Sequence, residues 1–186
     1  MISMKNLITT IGIAGVMITS TLTINTNPAA SQTPSPDKVT FFCIKVHDDA
    51  SGAKIPATVV WIPETKENRR LIGWKSDYFG KDMTPEKRCQ IVTKKFQDKY
   101  DSGNLNYINV GKAKGFPILC GLKNPDDSCD GNSQLFTLKK YNDPQRVRTA
   151  LSNIVSGKSS EMLLQSSGNS AVPFKDFLKS LPVVKK

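Results

Sequence analysis

The sequence predicts an α+β domain: a mostly antiparallel sheet of about five or six strands, one helix inserted mid-chain, and one or two C-terminal helices packed on it. Three observations predict it. Short β-branched and aromatic runs recur between turn residues, at spacings too short for parallel crossovers. A capped stretch with helical apolar periodicity interrupts them between residues 84 and 103. A second helical pattern comes only after the last strand.

Residues 1–30 read as a segment separate from that domain. Lys5 is the one charge before Asp37, residues 7–24 (LITTIGIAGVMITSTLTI) are apolar and small, and NTNPAASQ follows. A positive start, an apolar centre and small residues before a polar stretch describe a secretory signal, with cleavage near Ala29 or Ala30. The alternative is an uncleaved anchor, because eighteen residues lie at the short limit of a membrane span. Five threonines and two glycines dilute that span, and no basic cluster follows it. The expected address is therefore extracytoplasmic or periplasmic, with peripheral membrane attachment as a variant.

Without the signal, 186 − 30 = 156 residues remain, enough for one domain with its own core. Net charge falls only from +10 to +10 − 1 = +9. That excess attracts an anionic membrane surface, an acidic glycan or a negatively charged envelope protein; it also serves solubility alone. Nucleic acid is a poor partner for an exported chain. The four cysteines, Cys43, Cys89, Cys120 and Cys129, all follow the signal. No CxxC pair exists and His47 is the sole histidine, so two disulfides are expected, with no metal and no cofactor.

Residues 31–38 (SQTPSPDK) form a flexible lead-in. The domain spans 39–157. Its first strand is 39–46, with Cys43 at the middle; HDDASGAK is a polar turn. The second strand covers 57–63, ETKENRR is a charged loop, and the third strand covers 70–76. The helix starts at Thr84-Pro85-Glu86, with a good N-cap, a proline at the first position and an acid facing the helix dipole. Cys89, Val92, Phe96 and Tyr100 line its inner face, and Gly103 closes it. Strands at 105–110 and 116–122 flank a five-residue GKAKG loop, and 134–140 is a further strand. Asp143 and Pro144 start the next helix, Val147, Leu151 and Ile154 form its stripe, and Gly157 ends it. Residues 158–186 comprise a Ser/Gly-rich loop with MLL at 162–164, a short helix in VPFKDFLKSL, and a basic tail at Lys185 and Lys186.

Four cysteines permit three pairings. Cys43 lies in a core strand and Cys89 on the inward helix face, while Cys120 and Cys129 bracket one connection. Geometry therefore favours Cys43–Cys89 and Cys120–Cys129.

Seven separated elements occur in order: FFC at 41–43, PATVVW at 56–61, GWKSDYF at 73–79, TPEKRCQIVTKKFQ at 84–97, GNLNYINVG at 103–111, PILC at 117–120 and CDGNSQLFTLK at 129–139. Together they resemble the cyanobacterial circadian oscillating protein family, across about residues 40–155. The resemblance implies an extracytoplasmic, membrane-associated domain, and brings with it no established catalytic activity or cofactor. The chain departs from the family's usual pattern at Met83, where Gly-Trp commonly precedes Thr-Pro. Rhythmic expression, which gives the family its name, belongs to a promoter and implies nothing about mechanism.

Catalytic patterns are weak. His47 sits in an Asp-Gly turn, no G-x-S-x-G occurs, and the pairs Asp48–Asp49 and Asp126–Asp127 lie in turns. GKAKG lacks P-loop spacing. The candidate binding surface is Trp74, Asp77, Tyr78, Phe79 and Arg88, aromatic residues with charged neighbours; core packing of Trp74 and Phe79 is the plainer explanation. The expected function is that of an exported, disulfide-stabilised, non-enzymatic domain held peripherally at the membrane or envelope. The alternative is an envelope hydrolase whose carboxylates only the fold assembles.

Overall fold

The computed structural model describes residues 37–156 and 171–184, with the side chains of 152–156 excepted. Three strands, β1 (Thr40–Asp48), β2 (Ala53–Ile62) and β3 (Glu67–Gly73), form one antiparallel sheet in the order β1-β2-β3. After a 3-10 turn at Lys81–Met83 comes helix α1 (Pro85–Asp101). Strands β4 (Tyr107–Ala113), β5 (Phe116–Leu122), β6 (Gln134–Thr137) and the two-residue β7 (Val172–Pro173) form a second antiparallel sheet, ordered β6-β5-β4-β7. Helix α2 (Pro144–Ser156) lies between β6 and β7 in sequence, and α3 (Phe174–Ser180) follows. The class is α+β, with the strands divided between two sheets rather than placed in one, and with β7 added. The expected signal, the MLL patch, Ile154's side chain, Gly157 and the basic tail lie outside the described residues.

Local chemistry explains where elements begin and end. Thr84 Oγ1 accepts the Lys87 amide at the start of α1. At its end, the Asn104 amide reaches the Lys99 carbonyl and the Gly103 amide reaches Tyr100, with Gly103 at φ +69°. These two bonds are a Schellman motif. The β4–β5 connection is tighter than five residues: Ala113 pairs with Phe116, leaving Lys114 and Gly115 at φ +49° and +79°. Both central residues are left-handed, the two-residue turn that matches strand twist. β2 starts four residues before the expected Ala57, because the Asp48 carboxylate ties down Ser51 through its amide (2.9 Å) and hydroxyl (2.6 Å). That closes the turn early enough for Asp48 to pair with Ala53.

β3 likewise begins inside the expected charged loop. Arg69 bonds the Glu67 carboxylate and donates to the carbonyls of Lys179 (2.5 Å) and Leu181 (2.7 Å) at the end of α3. The charge is thereby satisfied within the strand. β6 stops at Thr137, short of the expected Lys140. The Leu138 amide still reaches Pro117, but a turn from Lys139 to Asn142 then leaves the sheet.

One apolar core draws on both sheets and the helices: Phe41, Val60, Ile108, Val110, Leu119 and Leu135 meet Cys89, Val92 and Phe96 of α1. Phe174, Phe177, Leu178 and Leu181 of the C-terminal segment complete it. Phe41, Phe96 and Phe174 form a mutual ring contact, with centroids 5.7, 6.2 and 6.1 Å apart. The segment then continues along the edge of β3, where the Val184 amide reaches the Asn68 carbonyl. Residues 171–184 thus pair with both sheets.

Both disulfides hold these layers. Cys43–Cys89 joins β1 to α1, and Cys120–Cys129 closes the loop after β5. Gly111 on β4 accommodates the latter: a Cβ there would lie 2.2 Å from the Cys129 carbonyl oxygen and 2.8 Å from its sulfur. Arg148 fastens α2 to β4 by donating to Asn109 Oδ1 (3.1 Å) and the Val110 carbonyl (2.7 Å).

Candidate functional site

The five residues singled out from sequence occupy one region and divide into two groups. Trp74 and Arg88 are buried, at 5% and 7% exposure. The Trp74 indole donates to Thr58 Oγ1 (3.1 Å), which shares a hydrogen bond with Thr93 (2.9 Å). The ring meets Phe136 edge-on at 5.6 Å. This is a satisfied core tryptophan, the plainer of its two explanations.

Arg88 reaches back from α1 and holds the incoming segment. Its Nε donates to the Met83 carbonyl (3.1 Å) and its Nη2 to the Ser76 carbonyl. Its guanidinium lies over Trp74 at 5.3 Å and Phe79 at 5.1 Å. Burial lowers its pKa, an effect opposed by the Asp77 carboxylate nearby. The charge is thus enclosed by two rings, two carbonyls and one acid, a set suited to holding residues 76–83 in place.

The remaining residues face outward. Asp77 is exposed, Phe79 half-buried, and Tyr78 43% exposed. Tyr78 stands perpendicular to Phe79 (5.0 Å, 88°) and, on another side, to Tyr141 (5.6 Å, 87°). The Lys139 ammonium lies 5.9 Å from the Tyr78 centroid and 5.8 Å from that of Tyr141. The Lys140 amide donates to the Tyr78 hydroxyl (3.4 Å). Tyr141 is 70% exposed. Sequence reasoning missed Lys139, Lys140 and Tyr141, having placed the two lysines at a strand end. The available sign was a tyrosine left beside two lysines just ahead of a helix start.

Other candidates resolve into structure. His47 Nε2 sits 3.7 Å from Asp49, on the surface. Asp48 pairs with Lys75, and hydrogen bonds from Lys75 and then Ser51 hold its pKa down at about 2. Among the described residues, no group of three or more His, Cys, Asp or Glu side chains could hold a metal. A shallow cleft beside the Cys120–Cys129 loop contains Lys99, Asp127 and Asp130. Asp127 accepts the Asn124 amide (2.8 Å), and Asp130 accepts the amides of Asn132 (2.8 Å) and Ser133. Both carboxylates are thus engaged in shaping their own loop.

The family model described as circadian oscillating protein COP23 matches residues 40–179, from the start of β1 into the last turn of α3. Among curated proteins and among solved structures, none matches the chain. With most of its 186 residues inside that match, the chain belongs to the circadian oscillating protein COP23 family.

Proposed function

We propose that this is an exported, disulfide-stabilised binding domain without catalytic activity, docked peripherally on an anionic surface of the cell envelope. The observation that carries the reading is the Tyr78–Lys139–Tyr141 cluster. Tyr78 is carried by the segment that Arg88 clamps, Tyr141 stands against it, and the Lys139 ammonium lies within 6 Å of both ring centroids. Exposed aromatic and cationic side chains on a fixed scaffold are what a contact surface requires. Two further facts support it. Two disulfides suit an oxidising compartment, and the charge of +10 − 1 = +9 expected after signal removal favours anionic surfaces.

The test is fractionation of cells expressing the full chain. Mass spectrometry of the recovered protein should find a new N-terminus after Ala29 or Ala30, and washing envelopes with concentrated salt should release it. Retention that only detergent reverses would overturn peripheral docking and favour an uncleaved anchor.

A further inference from the structure

We infer that the Tyr78–Lys139–Tyr141 corner is a subsite for an acidic polysaccharide, a polymer of pyranose rings bearing carboxylate or sulfate groups. The inference rests on the reading above and names the partner class. The two tyrosine rings stand at 87° to one another, so they form two walls of a corner rather than a stack. At 70% exposure, Tyr141 keeps most of its surface in solvent. A pyranose presents an apolar C–H face to such a wall and its hydroxyl rim to water or to the phenol oxygens. Flat, rigid walls suit a ring better than they suit an acyl chain.

The charge distribution selects an acidic sugar over a neutral one. Lys139 lies within 6 Å of both ring centroids. No carboxylate pairs with it among the described residues. Exposed Lys140 adjoins it. The bond from the Leu138 amide to the Pro117 carbonyl sets this segment beside the start of β5. The β4–β5 turn, with Lys112, Lys114 and the exposed Phe116, therefore lies at the same end of the sheet. Neither 111–118 nor 134–142 contains an acidic residue. Two carboxylates adjoin the corner in sequence: Asp77, which interacts with Arg88, and Asp143, which accepts the Gln145 amide (3.0 Å) at the start of α2. An open rim of this kind engages a chain of repeating units along its length, where each anionic group finds a lysine.

The test uses protein recovered from the full-chain expression above. Affinity electrophoresis in gels containing alginate, a polyuronate, is compared with gels containing neutral dextran at low salt. Retardation in alginate alone is expected. Tyr141→Ala and Lys139→Gln should each weaken it about fivefold or more, and Lys139→Arg should retain it. Lys94→Gln, on the exposed face of α1, should match the parent, and near-UV circular dichroism verifies that each variant is folded. Equal mobility in both gels, or corner variants that bind alginate like the parent, would overturn the inference. So would binding to vesicles of anionic phospholipid without binding to alginate; that outcome would leave peripheral docking standing and replace its partner.

Discussion

Replacing Cys43 and Cys89 together with alanine should destabilise the domain more than replacing Cys120 and Cys129 together. The first bond spans a sequence separation of 46 and the second a separation of 9. Crosslinking a longer loop removes more conformations from the unfolded chain, so on the chain-entropy model the two bonds contribute about 4 and about 2.7 kcal/mol. Cys89 and Cys120 are both fully buried, so the lost core volume is similar in the two variants and does not set their order. At a urea dependence of about 2 kcal/mol/M, the long-loop variant should shift its unfolding midpoint down by roughly 2 M and the short-loop variant by roughly 1.3 M. The assay is equilibrium urea unfolding under non-reducing conditions, followed by tryptophan fluorescence. A short-loop variant that loses as much stability as the long-loop one would refute the entropic reasoning. The Cys120–Cys129 bond would then act through native-state contacts, such as the close fit of Gly111 against Cys129.

Two other expectations concern stability. Asp48 has a folded pKa of about 2 against an ordinary 3.8, so the stability it contributes is present above about pH 4 and is lost as pH falls toward 2. Asp48→Asn should remove that acid-sensitive part, so parallel stability–pH profiles for parent and variant would contradict the assignment. Phe174→Ala empties one corner of the ring trio with Phe41 and Phe96 and should cost about 3–5 kcal/mol in thermal or urea unfolding. A cost under about 1 kcal/mol would mean that the C-terminal segment is dispensable to the core.

What the sequence disclosed follows the range of the interactions involved. α1 was legible because its determinants are local: Thr84 bonds three residues on, and Gly103 turns the chain just past the last helical turn. The bounds of β5 were legible for a similar reason, a short apolar run between Gly115 and the polar loop that follows. The early start of β3 was not, since the carbonyls that satisfy Arg69 come from residues 110 and 112 positions away. β7 has two residues, too few for any alternation to register. Lys114 takes a left-handed conformation uncommon for lysine, and composition gave no sign of it. In the candidate site, core packing was the plainer reading for both Trp74 and Phe79, yet Trp74 is buried and Phe79 only half-buried. The aromatic residues at 74, 78 and 79 look alike as letters, whereas their burial depends on what α1 and the segment after β6 place beside them.

That dependence links scaffold and surface. Arg88 is a costly residue to bury, and two backbone carbonyls and two aromatic rings surround it. One of those rings is Phe79, which in turn meets Tyr78 edge-on. The placement of the exposed tyrosine therefore runs through a buried cation on the helix that the Cys43–Cys89 bond fixes to β1. A helix held this way orders residues 76–83 without requiring regular secondary structure along their whole length. It also ties GWKSDYF to TPEKRCQ physically. The second block supplies the arginine, and the first supplies the Ser76 carbonyl and the two rings that it holds. The clamp lies within residues 74–88, whereas the proposed contact surface also needs Lys139 and Tyr141 from a segment some 60 positions after Tyr78.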